Sequence, residues 1–288
     1  MMTKILAPLT FIATIVAVVL FNHLTGYEVQ SFSFFFIIPL GALLVGAGAS
    51  CGLFFGLLKD NKPVVKEHYI IGALIGLVAF FGIYYVSYKT TYLTADNEIN
   101  YSFNGDPISS YELDGEPITF SKFISLSQSG KQQFYFHGRP VGSEVDTGKG
   151  FGSFMWYLEI LAAILAGAGV GLTIVGGKTY CEKCSKYMQE KTLLKFSIDK
   201  YDEVANQINT SLSDARKLKQ IFHTYELKKD EKVKAFAQVD LVHCSSCYDA
   251  HLLVKIFQLG SNSNFEEVSK HRQILKISEE TAHGLTKV

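Results

Sequence analysis

The sequence predicts an all-α membrane bundle of four transmembrane helices, joined to a small extracytoplasmic α/β cap and a separate cytosolic α+β domain. Three observations lead there. Four apolar stretches are each long enough to cross a bilayer, a long aromatic-rich loop separates the third from the fourth, and the composition turns charged and cysteine-bearing from residue 177 onward. The chain has 288 residues, 27 basic and 27 acidic, with 48% hydrophobic residues and a mean hydropathy of +0.17. That composition excludes a disordered chain, a collagen-like chain and a disulfide-dense secreted scaffold. Zero net charge provides no global field for nucleic acid, so none is expected as a partner.

A hydrocarbon core of about 30 Å needs roughly 20 apolar residues in a helix. Residues 5–24, 34–58, 69–88 and 154–176 meet that length, and the only carboxylate or ammonium group among them is Glu159. The first stretch is longer than the roughly 7–15 residues of a signal-peptide core, and no small-residue cleavage site follows it, so it reads as a retained span. Residues 1–88 thus hold the first three spans, 89–153 the cap, 154–176 the fourth span and 177–288 the last domain. Lysines set the orientation. Lys4, then Lys59, Lys62 and Lys66, then Lys178, Lys183, Lys186, Lys191 and Lys195 flank one side. The turn 25–33 has no Lys or Arg, and acids outnumber bases in 89–153. Both termini are expected in the cytoplasm and the loop outside, in the manner of a bacterial inner (plasma) membrane protein.

Small residues recur within the spans. Gly48, Gly52 and Gly56 lie on one face of the second, and Gly167 and Gly171 on one face of the fourth. Such faces let helix backbones approach closely in lipid, either within the bundle or between copies in a homo-oligomer. Segments 41–48 and 162–169 also echo one another, which a duplicated hairpin or chance convergence of Gly/Ala-rich helices would both produce. Glu159 is read either as an interfacial carboxylate reaching water or as an intramembrane polar site, with Asn22 and His23 at the end of the first span as neighbours.

In the loop, a strand is expected over 108–113. A helix capped by Thr119 should run to about residue 128 with Phe120, Phe123, Ile124 and Leu126 against the membrane surface, and a strand over 132–137. His137 is its one histidine, and no catalytic constellation appears.

The last domain carries 18 basic and 15 acidic residues and two cysteine pairs, Cys181-Glu-Lys-Cys184 and Cys244-Ser-Ser-Cys247. A two-residue spacer turns both sulfurs toward one ion, and four thiolates suit tetrahedral zinc. The interval between the pairs exceeds the usual roughly 15–20 residues. A helical insertion over 200–227 accounts for it, with apolar residues from Val204 to Tyr225 every three or four positions. Strands are expected over 191–196, 233–243 and 252–257, a capping-type helix start at Asn264, a last helical turn from Ser278, and fraying from Thr281 onward. Strand, knuckle and returning strand over residues 180–259 resemble half of a zinc ribbon, which implies one structural Zn²⁺ per chain. The cytosolic location disfavours structural disulfides, and no βαβ unit accompanies a redox C-x-x-C. Cys51, inside the second span, reads as a small buried apolar residue.

No phosphate-binding loop, no Ser/His/Asp order and no H-E-x-x-H motif is present. The expectation is a non-enzymatic membrane protein whose inner domain binds an unidentified cytosolic protein. A small-solute channel or transporter with Glu159 in its path, a transmembrane sensor and a membrane thiol oxidoreductase are the alternatives.

Overall fold

The computed structural model describes every residue except 35–37, 94–98, 101–104, 114, 129–130, 137–138, 147, 228–232, 261–263 and 287–288. The chain forms two compact units, Met1–Gly176 and Gly177–Val288.

Among the described residues of the first unit, four helices are long and apolar enough to cross a membrane: α1 (Thr3–Thr25), α2 (Leu40–Lys59), α3 (Lys66–Thr90) and, beyond the short cap helix α4 (Phe120–Ser127), α5 (Gly148–Val175). Their ends differ from the apolar stretches for local reasons. The second helix starts at Leu40 instead of residue 34, because Pro39 precedes it and Phe34 and Ile38 form an antiparallel bridge. A 3₁₀ turn, Val29–Ser31, lies in the same connection. The third helix begins three residues early, where His68 Nδ1 accepts the Val65 N–H at 3.1 Å. Asp60, just past α2, caps α1 from a distance. Its carboxylate accepts the N–H groups of Met2 and Thr3 at 2.7 and 2.9 Å, satisfying donors that a helix start leaves open. The terminal amine, then the bonds from Thr3 and Met2, hold the Asp60 carboxyl below the usual carboxylate range.

Glycines decide how closely the helices pack. A Cβ on Gly46 would stand 2.1 Å from the Ala163 carbonyl oxygen of α5, and one on Gly76 2.4 Å from the same atom. Gly72 and Gly167 face each other's carbonyl oxygens at 2.5 and 2.4 Å by the same measure, and the Ser50 hydroxyl donates to Gly72 O at 2.8 Å. The faces that the sequence offered to a second copy are occupied within the chain. Gly48, Gly52 and Gly56 meet Thr14, Leu6 with Thr10, and Thr3 of α1; Gly167 meets Gly72, and Gly171 the Phe54 ring. Outward, Leu9, Ile12, Val16, Leu44, Leu74, Val78, Leu165 and Leu172 are exposed, the apolar surface that a lipid environment covers.

In the cap, β1 (Tyr92–Leu93) pairs with β2 (Ile99–Asn100) and β3 (Asp106–Pro107), β4 (Glu112–Leu113) with β5 (Glu116–Pro117), and β6 (Lys131–Phe136) with β7 (Arg139–Asp146). The strand expected over 108–113 is a 3₁₀ turn, Ile108–Ser110, followed by β4, because the Ser110 hydroxyl folds back onto Pro107 O. Thr119 Oγ1 caps α4 through the Lys122 N–H at 3.3 Å. Helix α4 packs on α3: Phe120 meets Tyr85 and Tyr88, Phe123 meets Tyr88, and the Tyr88 hydroxyl donates to Ile118 O at 2.9 Å. His137 lies outside the described residues.

The second unit opens with a small hairpin, β8 (Tyr180–Cys181) and β9 (Lys186–Tyr187). A five-stranded antiparallel sheet follows, made of β10 (Gln189–Ser197), β11 (Ala235–His243), β12 (Ala250–Leu259), β13 (Phe265–Glu267) and β14 (Gln273–Lys276). Strands β13 and β14 both pair with β12, at different stretches of it. The expected single helix over 200–227 is two, α6 (Tyr201–Thr210) and α7 (Ala215–Tyr225). Asp214 breaks the run and caps α7, accepting the N–H groups of Arg216 and Lys217 at 2.9 and 3.1 Å. The apolar stripe survives the break, because Val204, Ile208, Leu218 and Phe222 still enter one core with Phe196, Val239, Leu241 and Leu252. Each such buried side chain contributes roughly 1.5–3 kcal/mol. Two tail expectations are corrected. Asn264 precedes a strand, not a helix, since residues 265–267 pair with 257–259. Residues from Thr281 form most of α8 (Glu279–Thr286) without fraying, because Ala282 and Leu285 are buried in the same core.

Candidate metal centre

The two cysteine knuckles are built alike. In the first, β8 ends at Cys181 and β9 returns at Lys186; in the second, β11 ends at His243, directly before Cys244, and β12 returns at Ala250. The residue after the second cysteine of each, Ser185 and Tyr248, holds a left-handed backbone with φ of +50° and +57°. That conformation is uncommon for side chains of this kind, and it closes the turn so that both sulfurs point the same way. The first cysteine of each knuckle accepts the backbone N–H of the second, Cys181 from Cys184 and Cys244 from Cys247.

All four sulfurs lie within 4.8 Å of one another, so Cys181, Cys184, Cys244 and Cys247 can hold one metal ion. Cys181 and Cys244 are buried and the other two half-buried. The thiols are free, and Cys181 Sγ stands 3.6 Å from Cys247 Sγ, beyond the roughly 2.05 Å of a disulfide. Burial raises the Cys244 thiol, yet the N–H groups of Cys247 and Ser246 outweigh it and bring the pKa down to about 7. Cys184, facing the Cys247 sulfur, then burial and the Cys244 charge, is pushed up to about 12. At Cys181 the Cys184 N–H favours the thiolate, but burial and the neighbouring sulfurs prevail and the pKa rises. A divalent cation held by the four sulfurs would favour the thiolate form of each by charge.

Neighbouring contacts tie the knuckles together. Lys186 Nζ donates to Ser246 Oγ at 3.0 Å, Lys183 pairs with Glu279 of α8 at 3.8 Å, and Tyr248 meets His283 of α8 edge-on at 4.6 Å. His243 and His251 flank the second knuckle and are not part of the ligand set. The Cys51 thiol, in α2, donates to Gly48 O at 3.1 Å.

The other residues singled out in the sequence are only partly brought together. Glu159 is 5% exposed and lies against Tyr84 of α3, inside the bundle instead of at its surface. The charged group that acts on it is Glu28, from the connection after α1. Asn22 is engaged elsewhere, donating to Gln30 Oε1 at 2.7 Å and accepting the Val29 N–H at 2.9 Å, and His23 is not among the groups acting on Glu159. Sequence reading missed Glu28, Ser31 and Tyr84 because each is unremarkable in its own segment. It also missed a buried ion-pair network on the second unit's sheet. Asp240, with no exposed surface, meets Lys255 Nζ at 2.9 Å, Thr192 Oγ1 at 2.7 Å and Gln238 Nε2 at 2.7 Å, and Lys255 also pairs with Glu190. Strand alternation alone marks Asp240 as a surface position.

No protein family, curated protein or solved structure matches the chain.

Proposed function

We propose that this chain is a membrane-anchored, non-enzymatic protein whose second unit binds one structural Zn²⁺ and serves as a docking module for a cytosolic protein. The reading places the bundle in a bacterial inner membrane, with both termini in the cytoplasm and the cap outside, as the lysine distribution favours. The observation that supports it best is the four-sulfur cluster itself. Four thiolates around one ion leave no open position for water or substrate, so such a site stabilises a fold and does not catalyse. Zinc is favoured over other ions because sulfur-only tetrahedral sets select zinc or iron–sulfur centres, and a single ion is what two knuckles at this spacing accommodate.

The test is elemental mass spectrometry on the detergent-purified full chain. About one zinc per chain is expected, lost in Cys181→Ser. Absence of metal together with reversible disulfides at Cys181/Cys184 or Cys244/Cys247 would overturn the reading in favour of a thiol oxidoreductase. With zinc established, cross-linking from the second unit in cells should capture a cytosolic protein in wild type and not in Cys181→Ser.

A further inference from the structure

At one end of the bundle, polar side chains from three separate segments lie next to one another. Glu28, in the connection after α1, neighbours Ser31. Ser31 Oγ lies 3.0 Å from the Tyr84 hydroxyl of α3. Tyr84, 2% exposed, neighbours the Glu159 carboxyl of α5. Glu28 is exposed and Glu159 is buried, so the series runs from the surface into the helix packing. Glu159 stands about 13 Å along the helix axis from Gly150, by the rise per residue. A second observation marks the same place as unfinished. Gln30, 1% exposed, bonds Asn22 through its oxygen and leaves its Nε2 donor without a partner among the described residues. Buried donors in that condition are rare.

We propose that Glu159 is a proton-binding site of the membrane bundle, loaded from the surface through Glu28, Ser31 and Tyr84. The inference is independent of the metal centre.

Each link can both accept and donate a proton. A proton taken up by the Glu28 carboxylate passes to Ser31 Oγ as the Ser31 hydroxyl proton passes to Tyr84 Oη and the Tyr84 proton to Glu159. Both hydroxyls end with one proton each, and the net change is a proton from solvent on Glu159. No oxidant or co-reactant enters. The drive is electrostatic. An ionised carboxylate inside a bilayer is expensive, and such acids are kept there for proton or ion movement. The titratable groups that act on Glu159 are Tyr84 of α3 and Glu28 of the connection, and no titratable group of α1 or α2 is among them.

The test is infrared spectroscopy of the full chain reconstituted in lipid, reading the carbonyl band of a protonated carboxylic acid and its rate of shift in D₂O. A band present at neutral pH, lost in Glu159→Gln, is expected. In Tyr84→Phe and Ser31→Ala the band should remain, while its deuterium shift slows on the order of a hundredfold, as for removal of a proton-transfer group. Helix content by circular dichroism checks that each variant folds. A band unchanged in Glu159→Gln would overturn the site. A band lost in Glu159→Gln but exchanging at the wild-type rate in both hydroxyl variants would overturn the route. Thallium or sodium abolishing the band would establish a cation site in place of the proton.

Discussion

Replacing Asp240 by Ala is expected to destabilise the second unit by about 3–5 kcal/mol, the effect of leaving a buried charge without its partner. Asp240 is fully buried and Lys255 nearly so, at 9% exposure. Thr192 and Gln238 complete the shell around the carboxylate, so every acceptor position is used. Removal leaves the Lys255 ammonium with Glu190 alone, and Glu190 is half in solvent. Hydrogen exchange of the β10–β12 amides in the full chain measures the change, as a faster opening of about a hundredfold or more. The double replacement Asp240→Leu with Lys255→Met should recover most of the loss, since apolar substitutes for a buried pair are often neutral or better. A single variant as stable as wild type would mean that the pair is solvated.

The same network has a defined pH window. Burial works against ionised Asp240, but the bonds from Thr192, Lys255 and Gln238 prevail and lower its pKa. Its stabilisation is therefore complete above the ordinary carboxylate pKa and is lost as pH falls through the lower folded value. Lys255 is opposed by burial and raised by Glu190 and Asp240. Its contribution is complete below the ordinary lysine pKa and is lost as pH rises through the higher folded value. The pair should thus hold level between those limits. In Asp240→Ala the acid limb below about pH 4 should flatten.

Substituting Leu for Gly46 is expected to prevent normal assembly of the bundle, with a cost at or above the upper end of the roughly 1–3 kcal/mol usual for overpacking. The obstacle is backbone, not a side chain that can turn away. A Cβ there would fall 2.1 Å from Ala163 O and 2.9 Å from Ala163 Cα. The first methyl alone must push α5 from α2, and Gly76 of α3 leans on the same carbonyl oxygen. Gly169→Leu is the control, because nothing lies within 4 Å of its Cβ position. Thermal unfolding in detergent should show a large loss for the first and none for the second. Equal behaviour of the two variants would refute the three-helix contact.

These cases also mark what the sequence discloses. Four spans are legible because length and apolarity suffice for a bilayer helix, and Pro39 and His68 account for the shifted starts of the second and third. The four cysteines are legible because a C-x-x-C spacer is a local constraint. The interruption at Asp214 was signalled by a cap residue but masked by a stripe that runs on across it. Asn264 misleads because strand pairing with β12 overrides a capping signal. Contacts such as Glu159 with Tyr84, or Asp240 with Lys255, depend on which helices meet and on strand register, and neither is written in any one segment.

The way β12 is edged also bears on solubility. Its outer side is covered along its length, by β14 at residues 251–254, by the Val268 N–H at Ile256 O, and by β13 at residues 257–259. At the opposite edge, β10 is bent by a bulge between Thr192 and Leu194, carries Glu190, Lys191 and Lys195, and receives the Leu227 N–H at Lys195 O. Covered, charged or bulged edges are what keep sheets from zipping onto their neighbours. On the β12 side the edge is broken into two short strands, three residues in β13 and four in β14, so copies crowded on a bilayer would find no long continuous edge to extend by strand addition.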